Sequence, residues 1–526
     1  MNLPAVNLIN VLAAAAPILL VLYLMIGRNW GGSKAGPAGW LAAILLAVVF
    51  YGANLDLLAV ATGRSILLAL FVLYIIWMAL LLYHVVNDAG AIDVIGQQLP
   101  QLAGDRASQA LLLGWVFGSF LQGASGFGVP AAVVAPLLVG LGFAANAAVV
   151  VALLGHAWAV TFGSLGSSFF SLIAATGQPG EVLEGPAALA LALACFACGF
   201  GVLWATGRWA AVKQRWPQLI LVGSVMATTQ VVLALAGLWS LAAFGAGLIG
   251  LIIIILDLRY QVTEFVSSRQ ENVPASQATG LQFRPLFKAI VPYGLLTLII
   301  VLGQLVFARP LNVLMLNPDF PAVETSYGWS TAAGPGRSIS VLGHAGALLL
   351  YVSLLSYAWF RWQGTLNGRT VYSGRSVAAK TIRGSVKSTI GITSLVALAV
   401  TMQHAGMTQI LAEVLSAGTG PVFPLLSPFI GALGAFMTGS NTNSNVVFGQ
   451  LQQETALALQ LSVPLILAGQ TAGGAIGSLF APAKVLVGCS TVKGAEDGQV
   501  LKAATLYGLA IVALIGLAVW IAALAG

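Results

Sequence analysis

Six consecutive polar residues interrupt an apolar stretch near the C-terminus. Residues 440–445 read SNTNSN inside FMTGSNTNSNVVFGQL. Hydroxyl and amide groups can orient a small polar solute by hydrogen bonds, without the cost of a buried charge. Asn and Ser also compete for backbone hydrogen bonds, so the run predicts a break in a membrane helix. Such a break is tolerated only where it is buried in protein or lines a cavity. We therefore expect Ser440, Asn441, Thr442 and Asn443 to line a binding site; an extramembrane polar loop is the alternative.

A second interruption, GASGFG at residues 123–128, separates two short apolar halves of the stretch 110–143. It predicts the tip of a hairpin that enters and leaves the membrane on one side. Gln122, Ser125 and Gly126 would lie at this tip and take part in binding. Glycine-mediated helix packing is the alternative interpretation of the same residues.

Two further apolar segments, 145–175 and 461–490, are interrupted by polar residues and glycines. An ionisable group inside a membrane segment is a functional hypothesis by default. His156 would therefore lie at the site, unless it is a histidine bonded to a neighbouring helix, and His404 is treated in the same way. Lys484 would attract an anion or, alternatively, extend to the membrane surface. The remaining candidate binding residues on these segments are Thr161, Gln470 and Thr471.

The composition identifies the protein class. The chain has 526 residues, of which 59% are hydrophobic and 7% charged, and its mean hydropathy is +0.95. No soluble fold hides that much apolar surface, and apolar runs of about twenty residues without strict alternation exclude a β-barrel. We predict an all-α, multi-pass protein of the cell membrane, the inner membrane in a bacterium. The net charge of +7 arises mainly in short loops, so we expect a lipid bilayer and no nucleic acid as its surroundings.

The apolar runs predict about twelve full spans and two re-entrant hairpins. The first half comprises 1–260, with a hairpin at 110–143 and a broken helix at 145–175. A cytoplasmic linker follows at 261–285. The second half comprises 286–526, with a hairpin at 421–458 and a broken helix at 461–490. The predicted full spans lie near 8–26, 40–60, 65–86, 145–175, 186–206, 218–237, 239–258, 286–308, 339–362, 388–412, 461–490 and 501–525.

Lysine and arginine place the loops 27–39, 207–217 and 361–387 in the cytoplasm. With both hairpins re-entrant, the two termini lie outside. The first hairpin then enters from the cytoplasm and the second from outside.

An internal repeat connects the two interruptions. GSFLQG at 118–123 aligns with GAFMTG at 434–439, and GHAWAVTFGSL at 155–165 aligns with GQTAGGAIGSL at 469–479. Two matches at nearly one offset, on hairpins of opposite orientation, indicate an inverted repeat. Paired interrupted segments of this kind mark the binding site of secondary transporters. The N-termini of half-helices suit an anion such as a carboxylate, whereas their C-termini and unwound carbonyls suit a cation.

These segments resemble the L-lactate permease family. FLQGASGFGVPAAVVAPLLVGLGF is similar to the family's first-hairpin region, GALGAFMTGSNTNSNVVFGQLQ to its second, and TAGGAIGSLFAP to the stretch that follows. The resemblance covers most of the chain. It implies a secondary carrier of lactate, glycolate or a similar short monocarboxylate, usually a proton symporter, working by alternating access. It also implies, by fold analogy, a homodimer.

The chain departs from the family pattern at the interruptions. Gln122 and Asn441 stand where the family carries Glu and Asp; if those carboxylates carry the coupling protons in relatives, this chain cannot use these positions for proton coupling. Lys484 replaces a neutral polar residue, and His156 begins a motif that is usually Asn-Thr-Ala-like. The coupling ion, H⁺ or Na⁺, therefore stays open.

Three rival functions remain. One is a Na⁺-coupled or uncoupled carrier of another anion, such as a sulfonate, and a second is an anion channel. The third, an enzyme, is disfavoured because the sequence lacks Walker A, HExxH and GxSxG motifs. We expect no cofactor and no metal, and we expect the Cys195-x-x-Cys198 pair to be structural.

Overall fold

The structure is a computed structural model that describes residues 6–28, 30–126, 128–269, 283–366, 368 and 372–525. Residues 270–282 of the predicted linker 261–285 lie outside the described residues, as does Arg369 of the basic loop, whereas residues 261–269 belong to a helix. The all-α, multi-pass architecture is confirmed: ten described helices are long and apolar enough to cross a membrane, or eleven if one bent pair counts as a span.

The first half begins with long helices and ends with them, and shorter helices lie between. The helices are α1 (Leu8–Leu22), α2 (Gly32–Tyr51), α3 (Leu55–Asp88), α4 (Ala91–Gln98), α5 (Arg106–Gln109), α6 (Gly118–Ala124), α7 (Val129–Gly140), α8 (Ala145–Ala157), α9 (Gly163–Thr176), α10 (Gly180–Leu235) and α11 (Trp239–Arg269). A π-helical turn, Ala110–Phe117, joins α5 to α6, and another, Tyr23–Gly27, extends α1. We call the unit from α5 to α7 hairpin 1, and α8 with α9 the first broken segment.

The second half repeats this plan. Its helices are α12 (Phe283–Val301), α13 (Ala308–Leu311), α14 (Ala345–Gln363), α15 (Gly374–His404), α16 (Met407–Thr419), α17 (Phe423–Thr438), α18 (Asn441–Ala458), α19 (Val463–Gly477), α20 (Pro482–Ser490) and α21 (Asp497–Ala525). We call α17 with α18 hairpin 2, and α19 with α20 the second broken segment.

The span boundaries differ from the sequence prediction at 388–412, where α15 ends at His404 and α16 begins at Met407, and again between residues 40 and 86. Instead of spans at 40–60 and 65–86, α2 ends at Tyr51 and α3 begins at Leu55. Gly52 adopts a left-handed conformation with φ 66°, and the Asn54 side chain caps α3 by accepting from the Leu57 amide. Hydropathy alone places a span across this turn, although Gly52 and Asn54 are the residue types that end and cap a helix.

Helices α10 and α14 account for part of the difference between the ten described membrane helices and the twelve predicted spans. The 56 residues of α10 do not form one continuous helix, because Gly207, Arg208 and Arg215 have non-helical dihedral angles. These breaks divide it into the two spans predicted at 186–206 and 218–237. Helix α14, predicted as a span at 339–362, is 19 residues long and is not among the ten.

Helices α3 and α15 occupy matching places in the two halves. Helix α3 ends in Asn-Asp-Ala-Gly90 and α15 in Gln-His-Ala-Gly406. Both glycines are left-handed, with φ 81° and 79°, and each precedes a short helix, α4 or α16. The two helices pack closely against each other.

Three short strand pairs were not predicted. They lie between α13 and α14 and pair antiparallel as β1 (Met315–Leu316) with β6 (Ile339–Ser340), β2 (Asp319–Phe320) with β5 (Gly334–Pro335), and β3 (Val323–Glu324) with β4 (Ser330–Thr331). We call residues 315–340 the strand loop. It docks on α3, where the Arg64 guanidinium donates to the carbonyls of Ala332 and Gly334.

Hairpin 2 is fastened to the second broken segment by glycines. Helices α17 and α19 form a closely packed pair. A Cβ on Gly473 would collide with the Pro428 backbone, and one on Gly477 with the Ala432 backbone. Only glycine permits this approach of two backbones, as in other membrane helix pairs.

Candidate functional site

The polar run starts a helix rather than unwinding one. Gly439, with φ 70°, ends α17 in the left-handed conformation. Ser440 is the N-cap of α18, and its Oγ accepts from the Asn443 amide at 3.4 Å. The break predicted here therefore spans only Gly439 and Ser440. Ser and Gly suit this junction because Ser caps a helix start and Gly ends one.

Asn441 connects hairpin 2 to both broken segments. Its Nδ2 donates to Thr161 Oγ1 at 3.0 Å and to the Thr471 carbonyl at 3.1 Å. Thr161 Oγ1 in turn donates to the Thr471 carbonyl at 3.1 Å. All three residues are 0% exposed. The structure thus brings together three predicted site residues from both halves of the chain.

One turn further along α18, Asn445 repeats this connection. Its Nδ2 donates to the Ser168 carbonyl and to Thr471 Oγ1, both at 2.9 Å. The Ser168 hydroxyl also lies 3.1 Å from Thr442 Oγ1. The predicted residue Thr442 is therefore in the same buried network, together with Asn445, the last residue of the polar run, and Ser168, which the sequence did not single out.

A third set of contacts completes the network. Gln470 Nε2 donates to Ser444 Oγ at 3.0 Å, and Gln470 Oε1 accepts from Gln452 Nε2 at 2.6 Å. Ser444 Oγ donates to the Gly431 carbonyl of α17 at 2.7 Å. Asn441, Asn445 and Gln452 lie on one face of α18 at helical spacing. That periodicity of polar residues is the sequence signal that could have identified Gln452 as a member of the network.

The tip of hairpin 1 rests on the first broken segment. There Ser164, Leu165 and Gly166 have φ of 48°, 57° and 84°, three left-handed residues in succession. A Cβ on Gly126 would collide with Ser164 Oγ, and one on Gly163 would lie 2.8 Å from Gln122 Nε2. The tip of hairpin 1, with the predicted residues Gln122 and Gly126, is therefore in direct contact with the break in the first broken segment.

Ser125 differs from its neighbours at this tip. Its Oγ donates to the Leu121 carbonyl of its own helix at 2.8 Å. The hydroxyl hydrogen is thus used locally, and only the oxygen lone pairs stay available for a ligand.

His156 is buried near the C-terminal end of α8, just before the break. Its Nδ1 lies 2.7 Å from the Ala152 carbonyl, so Nδ1 carries a proton, and Nε2 has no partner among the described residues. Helix α8 continues through Ala157, and a 3₁₀ turn, Trp158–Val160, follows before the left-handed residues. The interruption of the segment 145–175 therefore begins just after His156 and includes the left-handed residues Ser164, Leu165 and Gly166.

Lys484 lies on α20, which touches both hairpin tips. A Cβ on Gly128 of hairpin 1 would lie 3.5 Å from Val487, and one on Gly439 of hairpin 2 would lie 3.4 Å from Ala483. Lys484 Nζ donates to Ser478 Oγ at 2.8 Å. No ion pair links it to a carboxylate within the described part of the chain. Lys484 thus supplies positive charge between the hairpins.

Three amide oxygens at the hairpin tips are buried without a hydrogen-bond partner in the described structure. They are Gln122 Oε1, Asn441 Oδ1 and Asn443 Oδ1. The orientation of the Asn441 amide is fixed by chemistry, because the Thr471 carbonyl can only accept. Buried acceptors without a partner are costly, and they are suited to a ligand that donates a hydrogen bond or carries positive charge.

His404 is separated from this network. It ends α15, where its Nδ1 lies 2.9 Å from the Val400 carbonyl. It lines a different cavity beside Gln450 and Gln453 of α18, between one and about two helical turns beyond Asn445. The structure therefore does not join His404 to the other candidate residues.

The comparisons with known proteins agree with one another. The chain matches the sequence profile of the L-lactate permease family over residues 10–525. Glycolate permease GlcA of Escherichia coli (strain K12) is 26% identical over 542 residues, covering 97% of this chain and 95% of the relative. The L-lactate permease of Bacillus subtilis (strain 168) is 28% identical over 530 residues, covering 92% and 90%. The L-lactate permease of Escherichia coli (strain K12) is 27% identical over 515 residues, covering 93% and 91%.

Among solved structures, the YdaH transporter of Alcanivorax borkumensis aligns with a TM-score of 0.47 at 14% identity, over 89% of this chain and 87% of that one. The family match itself extends over both hairpins, both broken segments and every residue of the polar network. Its named relatives are permeases rather than enzymes. The chain therefore belongs to the L-lactate permease family.

Proposed function

We propose that the protein is a permease that carries a small 2-hydroxy monocarboxylate, lactate or glycolate, across the membrane by alternating access. One observation carries the proposal. The polar network joining hairpin 2 to both broken segments consists of neutral side chains, and the cation of Lys484 lies on α20, next to Ala483, which faces the Gly439 turn of hairpin 2. A neutral, hydrogen-bonding site beside a cation suits a small anion.

The carboxylate of the substrate would bind at the start of α18, where the first backbone N–H groups lack partners within the helix. Lys484 would add the charge. The 2-hydroxyl would donate to one of the unpartnered amide oxygens. The side chains of Asn443 and Gln122 make no hydrogen bond within the described residues, and Asn443 is the one that lies in the first turn of α18. The names of the relatives, lactate and glycolate permeases, support this substrate class.

Coupling would differ from that of a carrier with acids at the hairpin tips. Gln122 and Asn441 are amides and bind no proton at neutral pH. Their free oxygens are instead the type of ligand that a hard cation such as Na⁺ takes. H⁺ entering with the substrate and Na⁺ held at the tips are therefore the two coupling schemes to be separated.

Uptake into proteoliposomes tests the proposal. Radiolabelled lactate and glycolate are compared with propionate and acetate, which have the same carboxylate but no 2-hydroxyl. H⁺ and Na⁺ gradients are imposed separately. We expect saturable uptake of the hydroxy acids, with the analogues competing at least about tenfold less well, the value of one hydrogen bond to a buried acceptor. Absence of uptake for all four acids under every gradient would refute the proposal; sulfonate uptake or single-channel currents would replace it with a rival.

A further inference from the structure

Helices α3 and α15 carry a salt bridge at one end of their interface. Lys380 Nζ lies 2.8 and 2.7 Å from the two carboxylate oxygens of Asp88. By the orientation predicted from the basic loops, this is the cytoplasmic end. The charge of Lys380 is therefore balanced by Asp88 at this end.

The internal repeat gives this pair a counterpart at the opposite end. At an offset of 316, the value found for the hairpins, Arg64-Ser-Ile of α3 aligns with Lys380-Thr-Ile of α15, and Asn-Asp88-Ala-Gly aligns with Gln-His404-Ala-Gly. The repeat thus places Arg64 opposite His404. The cation is retained in this copy, and the carboxylate is replaced by an imidazole.

Arg64 and His404 face one cavity of about 370 Å³. We call it the outer cavity. Arg337 of the strand loop and Gln450 and Gln453 of α18 also line it, as does Thr176 at the end of α9. It therefore lies between the α3–α15 pair and the helices that carry the polar network, on the side that the orientation assigns to the exterior.

The two arginines lack a carboxylate partner. Arg64 donates to two carbonyls of the strand loop, and the Arg337 guanidinium carbon lies 4.2 Å from the Phe71 ring centroid. Neither has a carboxylate oxygen within 4.0 Å in the described part of the chain, and the Nε of each is buried without a partner. The neighbouring acid, Glu454, accepts from Gln450 Nε2 and is not paired with either arginine.

Two like charges facing one cavity between membrane helices are costly unless a counter-charge is present. Guanidinium groups bind carboxylates well, because their planar N–H groups match the two oxygens. A cavity of this volume accommodates a small ligand with water.

We propose that the outer cavity is a second binding site. A small monocarboxylate would lie beside Arg64 there, as Asp88 lies beside Lys380 at the cytoplasmic end. The inference rests on the proposed transport function, because it makes the ligand the substrate on its way to the hairpin tips. Arg64 and Arg337 hold the carboxylate, and the Nε2 of His404 and the amides of Gln450 and Gln453 are available to its hydroxyl. The site raises the local substrate concentration at the outer mouth of the carrier.

Three variants test the site through the KM for externally added lactate and through melting temperature in detergent. His404→Asp places a carboxylate beside Arg64, in the position that corresponds to Asp88 beside Lys380. This carboxylate competes with the substrate for Arg64. Arg337→Gln removes one charge. We expect each to raise KM at least about tenfold, the loss of one charge-assisted hydrogen bond. Lys380→Gln removes the charge that pairs with Asp88 at the cytoplasmic end. We expect this variant to have lower thermal stability, with KM changed less than about twofold.

A purely structural role for the arginines predicts the opposite pattern. His404→Asp would then raise the melting temperature by pairing with Arg64 and leave KM unchanged, which overturns the proposal. Melting curves of the wild type and Arg337→Gln with added lactate or chloride provide a readout that needs no transport. A lactate-induced rise that is smaller in Arg337→Gln than in the wild type supports the site, whereas an equal rise in both proteins, or a rise of the same size with chloride, overturns it. If the wild type takes up no acid, the proposed function fails, and the melting curves still decide whether the cavity binds a carboxylate.

Discussion

Asn441 and Asn443 lie two residues apart in the first turn of α18, yet the structure gives them different environments. Asn441 donates to Thr161 Oγ1 and to the Thr471 carbonyl. The side chain of Asn443 makes no hydrogen bond within the described residues, and its Oδ1 is buried. We therefore predict that alanine at position 441 weakens the fold, whereas alanine at position 443 weakens substrate binding.

The magnitude at Asn441 follows from its contacts. Two hydrogen bonds of 3.0 and 3.1 Å are lost, each contributing about 1 kcal/mol net, and truncation of a fully buried side chain adds a cavity. The Thr471 carbonyl keeps its bond from Thr161, so it is not left unpaired. Asn441→Ala should therefore cost roughly 2–3 kcal/mol of stability, by loosening hairpin 2 from both broken segments.

Asn443→Ala is the matched control, because it removes the same side chain from the same turn. Its melting temperature in detergent should stay close to that of the wild type, since no hydrogen bond is lost. Its KM for lactate should rise about tenfold while that for propionate is unchanged, because only the 2-hydroxyl loses an acceptor. Equal melting temperatures for the two alanine variants would refute the assignment of Asn441 to hairpin docking. Equal effects of Asn443→Ala on both acids would refute the hydroxyl contact.

Three further predictions concern other parts of the molecule. Gly473→Ala forces a Cβ into the α17 backbone and should destabilise the protein by about 1–3 kcal/mol or more in a melting assay, whereas Gly418→Ala, with open space around it, should not lower the melting temperature. Lys484→Gln removes the charge between the hairpins and should raise the KM for lactate at least about tenfold in proteoliposome uptake, while retention of the wild-type KM would show that this charge does not act on substrate. Burial raises the pKa of the Asp105 carboxyl, but the hydrogen bonds that it accepts at the start of α5 and the Arg215 guanidinium outweigh burial, so the pKa is lowered in the folded protein. The stability that ionised Asp105 contributes is therefore fully present above its unfolded pKa of about 3.9. It is lost as the pH falls through the lower folded value. Melting temperatures between pH 3 and 6 should accordingly fall toward acid in the wild type and less so in Asp105→Asn, and parallel curves would contradict this.

The sequence predicted where hairpin 2 turns but not how its polar residues are used. The apolar context of residues 440–445 located the turn, and Gly439 and Ser440 form it. Local propensity could not show that Asn441 and Asn445 face two other segments, because those contacts join residues 280 and 277 positions apart. Residue type and helical spacing give the face of a helix, whereas its partner depends on packing.

Other differences have comparable causes. The left-handed turn at Ser164 and Leu165 was missed because nothing in these residue types favours φ above zero. The correspondence between Arg64 and Lys380 was not predicted, because both residues lie on the long helices α3 and α15, away from the hairpin motifs that revealed the repeat. The strand loop at 315–340 consists of two-residue strands, which are too short to leave a periodic pattern.

The two broken segments are interrupted by different means, and this bears on which part of the carrier can move. The second break is reached through a 3₁₀ turn, Ser478–Phe480, with Pro482 starting the next helix, and involves no left-handed residue. The first depends on Ser164 and Leu165, a conformation that costs about 1–2 kcal/mol for each non-glycine residue and persists only when its surroundings fix it. Under the alternating access proposed above, hairpin 1 and the first broken segment would accordingly shift as one rigid body, and the joint that opens the site would be the Gly439–Ser440 hinge of hairpin 2.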